Sequence, residues 1–158
     1  MFKIGDKVVY PMHGAGIIEA IEEKEVLGKK RQYYIMRMPI GNMKVMVPLD
    51  SVQQIGLRQV VGLEDIETVM GILKDRDTDM SSNWNRRYRA NLEKIKSGNI
   101  FEVAEVVRNL LHRDKEKGLS TGERKMLENA RQILISEMVL AQDKEEKQIE
   151  TMLEGMFD

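Results

Sequence analysis

The sequence predicts an α+β protein. A small antiparallel β-barrel or strongly bent sheet occupies residues 1–57, and a compact all-α bundle of about five helices occupies residues 62–158. Three observations predict it. Before residue 57, short runs of β-branched and aromatic residues alternate with tight-turn signals. After residue 62, apolar residues recur with the period of a helix. Between the two, near residues 57–61, no Gly/Ser-rich linker appears, so the parts are expected to hold a fairly fixed relation.

The strands come first. Lys7-Val8-Val9-Tyr10 reads as a strand that Pro11 ends or places at an edge. The turn His13-Gly14-Ala15-Gly16 leads into Ile17-Ile18-Glu19-Ala20-Ile21. Gly28-Lys29-Lys30 is expected to turn into a strand over residues 32–38. Gly41-Asn42 is a tight hairpin signal before Met43-Lys44-Val45-Met46-Val47, which Pro48 closes.

The helices follow. Leu63, Ile66, Val69, Met70 and Leu73 form one apolar face, broken by the acidic run Asp75 to Asp79. Ser81 and Ser82 suit an N-cap before a helix over residues 84–96, which Gly98 stops. Asn99 with Glu102, Ser120 with Glu123, and Asp143 with Glu146 each have the spacing of a capping box ahead of a further apolar-periodic stretch.

Composition excludes several classes. No apolar run approaches the ~20 residues that a membrane helix needs. No apolar core follows the first lysine, so a signal peptide is not expected, and the chain has no cysteine. Disulfides and thiolate metal sites are excluded, and a cytoplasmic protein is expected. The net charge is −1 but unevenly spread: eleven Lys and Arg face six Asp and Glu over residues 81–126, while acidic residues dominate on both sides of that block. A local basic field of this kind, rather than the total charge, governs contact with nucleic acid.

Catalysis finds little support. Asp75-x-Asp77-x-Asp79 opens like a calcium loop, but Met80 and Arg86 stand where glycine and glutamate are required. Gly14-Ala15-Gly16 lacks the third glycine of a dinucleotide fingerprint, since Glu19 stands there. His13 and His112 have no partner at triad or ligand spacing. No enzyme activity, cofactor, metal or small-molecule substrate is expected.

The most informative stretch is Asn83-Trp84-Asn85-Arg86-Arg87-Tyr88-Arg89, which holds the single tryptophan. Trp84, Tyr88, Leu92 and Ile95 lie on one helical stripe, as an ordinary half-buried core tryptophan would. Trp84 also falls in the first turn, where a side chain can lie at the mouth of a domain. An aromatic flanked by arginines has the composition of a wedge entering nucleic acid, with cations on phosphates and the ring where a base would stack. Pairing with Glu93, Glu105 and Glu116 explains some nearby cations. It explains Arg86, Arg87 and Arg89 less well, because the nearest acid along the chain is Glu93. Arg108, Arg113, Lys115, Lys117, Arg124 and Lys125 extend the basic block.

These residues resemble the CarD/CdnL family of bacterial transcription regulators. The blocks that carry the likeness are Gly5-Asp6-Lys7-Val8-Val9-Tyr10-Pro11, His13-Gly14, Asn83-Trp84-x-Arg86-Arg87-Tyr88-x-Ala90-Asn91-Leu92, Ala104-Glu105-Val106-Val107-Arg108, Gly118-Leu119-Ser120-x-Gly122-Glu123 and Ala130-Arg131-Gln132-Ile133-Leu134. The resemblance implies a Tudor-like RNA polymerase-interaction domain over residues 1–57, shared with the transcription-repair coupling factor. That domain would bind the polymerase β subunit through an exposed strand, with Lys24, Glu25, Val26, Lys44 and Met46 as the contact residues. Family members often carry arginine where Met46 stands, and Lys44 on the same strand face is the substitute cation. Residues 62–158 would be the DNA-binding domain. There Trp84 would wedge into the minor groove at the upstream edge of the promoter bubble, with Arg86, Arg87, Arg89, Arg124 and Lys125 on the DNA. The implied function is stabilisation of the promoter open complex by a monomer; the alternative is a protein–protein adaptor without direct DNA contact.

Overall fold

The computed structural model describes residues 1–76 and 80–157, so Asp77 and Asp79 of the acidic run lie outside the described residues. The order is β1 (Lys7–Tyr10), β2 (Gly14–Val26), β3 (Lys29–Arg37), β4 (Lys44–Pro48), α1 (Val52–Ile55), β5 (Arg58–Gln59), α2 (Leu63–Lys74), α3 (Trp84–Lys96), α4 (Ile100–Glu116), α5 (Thr121–Gln142) and α6 (Glu146–Phe157). The α+β reading holds, and the five expected long helices are α2 to α6. Sequence periodicity did not reveal α1 or β5, because four and two residues are too few to show a period.

The strands form one antiparallel sheet in the order β4-β3-β2-β1-β5. β4 and β5 are free edges, so the sheet is open rather than a closed ring of pairs. A bulge at Glu19, where the register with β3 shifts, bends β2. Val8, Ile18, Tyr34, Met36 and Val47 point inward onto Leu57 and α1. Lys44 and Met46 alternate outward, as the pleat requires. The β2–β3 turn falls one residue earlier than expected. Leu27 (φ 52°) and Gly28 (φ 77°) form it, the pair of positive φ angles that a two-residue hairpin needs. Gly41 and Asn42 also take positive φ, but in a longer loop closed by Met38 N donating to Met43 O at 2.8 Å.

Helix starts follow side-chain chemistry. Asn83, not Ser81 or Ser82, caps α3, its Oδ1 accepting from Arg86 N at 3.1 Å. Asn99 caps α4 as expected, but its own N–H goes to Ser97 Oγ (3.1 Å) rather than to Glu102. Asp143 does not open α6: in the left-handed conformation it closes α5, and Glu145 N donating to Gln148 Oε1 (2.9 Å) opens α6 instead. The bundle core runs from Ile66, Val69 and Leu73 on α2 through α4 and α5 to Ile149, Leu153 and Phe157 on α6.

The two parts meet along the C-terminal half of α5. Val9 and Ala15 pack on Leu140. Ala15 N donates to Ser136 Oγ (2.8 Å) and Lys7 Nζ to the Leu140 carbonyl (2.9 Å). Gly14 has φ +108°, and a Cβ there would lie 2.8 Å from Ser136 Oγ, so no other residue fits. The connection itself is pinned. Arg58 on β5 donates to both carboxylate oxygens of Glu137 at 2.7 Å, and Glu137 also accepts from Val61 N at 3.0 Å.

Candidate nucleic-acid interface

Trp84 is the first residue of α3 and is 40% exposed. The stripe it begins does face the core, yet burial deepens along it, reaching 1% exposure at Ile95. The indole is neither sealed in nor loose. One face stacks on Tyr88, centroids 4.9 Å apart and planes 17° from parallel. Nε1 donates to Ser120 Oγ at 3.0 Å. Gly122, in the first turn of α5, lies beside both rings. The rest of the ring meets solvent from a fixed orientation.

Arg87 differs from expectation. It is 3% exposed and pairs with Glu123, itself 1% exposed. Nε donates to Oε2 at 2.7 Å and Nη2 to Oε1 at 3.2 Å. Nη1 reaches the carbonyls of Ser81 and Ser82 at 3.2 and 3.3 Å. Its charge is spent inside the protein, so it does not stand on a DNA-facing surface. It fixes the start of α3 against the start of α5, and so holds the ground beneath Trp84. The nearest acid along the chain was the wrong measure, because the partner lies 36 residues away.

Glu123 completes the link. Burial alone would raise its carboxyl, but the Arg87 guanidinium, with Ser120 backbone and hydroxyl, outweighs burial and holds it below its ordinary 4.5. Ser120 Oγ accepts from Glu123 N at 3.2 Å and from the indole, so one hydroxyl caps α5 and orients the tryptophan.

Arg86 and Arg89, two and five residues along α3 from Trp84, are exposed, and neither has an ion pair among the described residues. Lys125 is exposed in the same way. Arg124 reaches Asp114 at 3.6 Å, an exposed pair worth little in water. Lys94 is engaged by Glu105 at 3.0 Å. The structure therefore leaves Arg86 and Arg89 on α3, and Arg124 and Lys125 on α5, as exposed cations on the two helices whose first turns hold the half-exposed ring. Sequence reasoning missed Ser120 and Glu123 as supports of that ring. The matching S-x-x-E spacing was visible, but only as a helix start.

The expected polymerase-facing residues lie on the sheet. Lys24, Glu25 and Val26 belong to the exposed arm of the β2–β3 hairpin, and Lys44 and Met46 to the edge strand β4. Lys24 pairs with Glu22 (3.1 Å) and Lys44 with Glu19 (3.2 Å). Met46 and Val26 are each 44% exposed. Beyond Val26, Leu27 is almost fully exposed in a left-handed conformation that leucine rarely adopts. No signal in the sequence marks this position. Among the described residues no group of His, Asp and Glu could hold a metal ion, and no helix is long and apolar enough to cross a membrane.

Known proteins match the sequence along nearly the whole chain. The family model described as the CarD-like/TRCF RID domain matches residues 2–61, and the one described as CarD, C-terminal domain, matches residues 68–154. The candidate transcription factor YdeB of Bacillus subtilis (strain 168) is 49% identical over 151 residues, 96% of this chain and 99% of that protein. The 72-residue N-terminal domain of Myxococcus xanthus CarD, solved by solution NMR, is 41% identical and covers 37% of this chain and 79% of its own, with a TM-score of 0.33. CdnLNt from the same organism is 39% identical and covers 39% of this chain and 86% of its own, with a TM-score of 0.34. With both of its parts matched in order, the chain belongs to the CarD-like family of transcription factors, whose N-terminal domain interacts with RNA polymerase.

Proposed function

We propose that this protein binds the RNA polymerase β subunit through the exposed β2–β3 arm and β4 edge, and stabilises the promoter open complex through Trp84. The exposed edge of the indole enters the minor groove at the upstream fork of the bubble. Arg86, Arg89, Arg124 and Lys125 hold the neighbouring phosphates, and Arg87 supports the ring from within.

One observation carries this reading: the tryptophan is 40% exposed, held in orientation by Tyr88 and Ser120, on a helix whose Arg86 and Arg89 are exposed with no ion pair among the described residues. A preoriented ring loses little freedom when it stacks. A base–aromatic contact is worth about 1–3 kcal/mol and exists only where bases are unstacked. Such a contact favours the melted state and shifts closed complex toward open. At ~1.4 kcal/mol per factor of ten, one ring is enough for about a tenfold change in the open fraction. The minor-groove code is degenerate, so sequence preference is weak and the polymerase supplies the targeting. A net charge of −1 fits that division, since a strongly basic chain would be held on non-specific DNA.

The test is a salt-titrated comparison of fork-junction DNA with fully paired DNA, read by indole emission. Tighter binding to the fork, quenched emission and a steep loss with salt are expected. Salt-insensitive emission with both DNAs would leave the adaptor reading in its place.

A further inference from the structure

The helices that build the Trp84 site have a second meeting point at their far ends. α3 begins at Trp84 and runs toward Gly98; α5 begins beside Ser120 and passes Glu137. At the first end, Arg87 of α3 joins Glu123 of α5. At the other, Arg58 donates Nε to the Gly98 carbonyl (2.8 Å) and its two terminal nitrogens to Glu137 (2.7 Å each). Arg58 belongs to neither helix. It lies on β5, paired with Val9 of β1, and is therefore part of the sheet. Glu123 and Glu137 are fourteen residues apart on one helix, a spacing of about 21 Å at 1.5 Å per residue.

From this geometry we infer that Arg58 and Glu137 are positioning residues that fix the distance between the polymerase-bound sheet and the Trp84 edge. Resting on the reading of Trp84 as the DNA-contacting ring, they set which base step that ring meets. The guanidinium is suited to the task because its planar fork holds a carboxylate bidentately while its remaining N–H takes a third, differently directed acceptor. One side chain thus ties the sheet to α3 and to α5 together. Lysine keeps the charge but cannot hold both oxygens and the Gly98 carbonyl in one plane. Ser136, which accepts from Ala15 N on β2, is the neighbouring tie along α5.

The consequence is a coupling effect, not a contact effect. Each surface keeps its own affinity when the clamp is loosened. What falls is the effective concentration of the ring at the fork, which depends on geometry alone.

The test uses full-length Arg58→Lys and Arg58→Lys/Ser136→Ala, checked for folding by thermal melts, with Trp84→Ala in parallel. Three quantities are read: affinity for polymerase holoenzyme, affinity for fork DNA without polymerase, and open-complex lifetime. A fluorescent base analogue is also scanned across the upstream fork. The clamp variants are expected to keep both affinities within about twofold, yet shorten the lifetime about threefold or more and spread the base-analogue signal over neighbouring steps. A wild-type lifetime and a single sharp maximum in both clamp variants, with Trp84→Ala still impaired, overturn the positioning role alone. A lifetime unchanged in Trp84→Ala as well overturns the reading beneath it. Loss of either separate affinity in step with the lifetime shows a merely structural role and also overturns the inference.

Discussion

α5 carries two buried glutamates with arginine partners, and their difference shows how the molecule divides its work. Glu123 and Arg87 are both about 2% exposed at the side chain, and both lie in the helical part. Glu137 is equally buried, but its partner Arg58 is 30% exposed and comes from the sheet. The first pair is dry and local to the aromatic site. The second is half wet and crosses between the two parts. A dry pair is hard to break without loss of fold, because the survivor is left as an uncompensated charge. A pair with one wet partner tolerates a conservative change there, so its disturbance appears first as geometry.

The largest effect is expected at the dry pair. Arg87→Ala should destabilise the protein by about 3–5 kcal/mol, measured by denaturant unfolding. Arg58→Lys, which keeps the charge at the wet end, should cost well under half of that. Equal losses would erase the distinction. The pH dependence sharpens the comparison. Because the Glu123 carboxyl is lowered in the folded state, its contribution is fully present above the unfolded value of 4.5 and is lost as pH falls through the folded value. The melting temperature of the wild type should therefore fall below pH 4.5 more steeply than that of Glu123→Gln, which starts lower but lacks this group.

Smaller effects separate the cap from the ring it orients. Ser120→Ala removes the α5 cap and the indole acceptor, and should cost about 1 kcal/mol. It should also make indole emission more heterogeneous, while Ser120→Thr restores both. The smallest effect is expected at the hairpin tip. Leu27→Asn relieves a left-handed leucine and should stabilise the fold by up to about 1 kcal/mol. If the tip touches polymerase, the same change weakens that binding, so stability and affinity move in opposite directions.

Much of the architecture was legible because it is periodic or capped. Lys44 and Met46 were read onto one strand face, and both lie on the exposed side of β4, while the apolar spacing gave all five long helices. Helix ends were less secure. Asn83 took the cap expected of Ser81 or Ser82, and Asp143 closed a helix instead of opening one, because several polar residues compete for each end. Trp84 was legible in type and place, but its exposure depends on Tyr88, Ser120 and Gly122 from two helices. Arg87 was misread for the same reason: tertiary pairing at a separation of 36 residues leaves no trace in local charge spacing. β5 carried too few residues to announce itself, yet it contributes Arg58.

The most direct test of the central claim is the lifetime of open complexes on one promoter after competitor challenge, with wild type and with Trp84→Ala at saturating occupancy of polymerase. The account predicts that wild type lengthens the lifetime and that Trp84→Ala loses most of the gain while still binding polymerase. Equal lifetimes for the two proteins would contradict it.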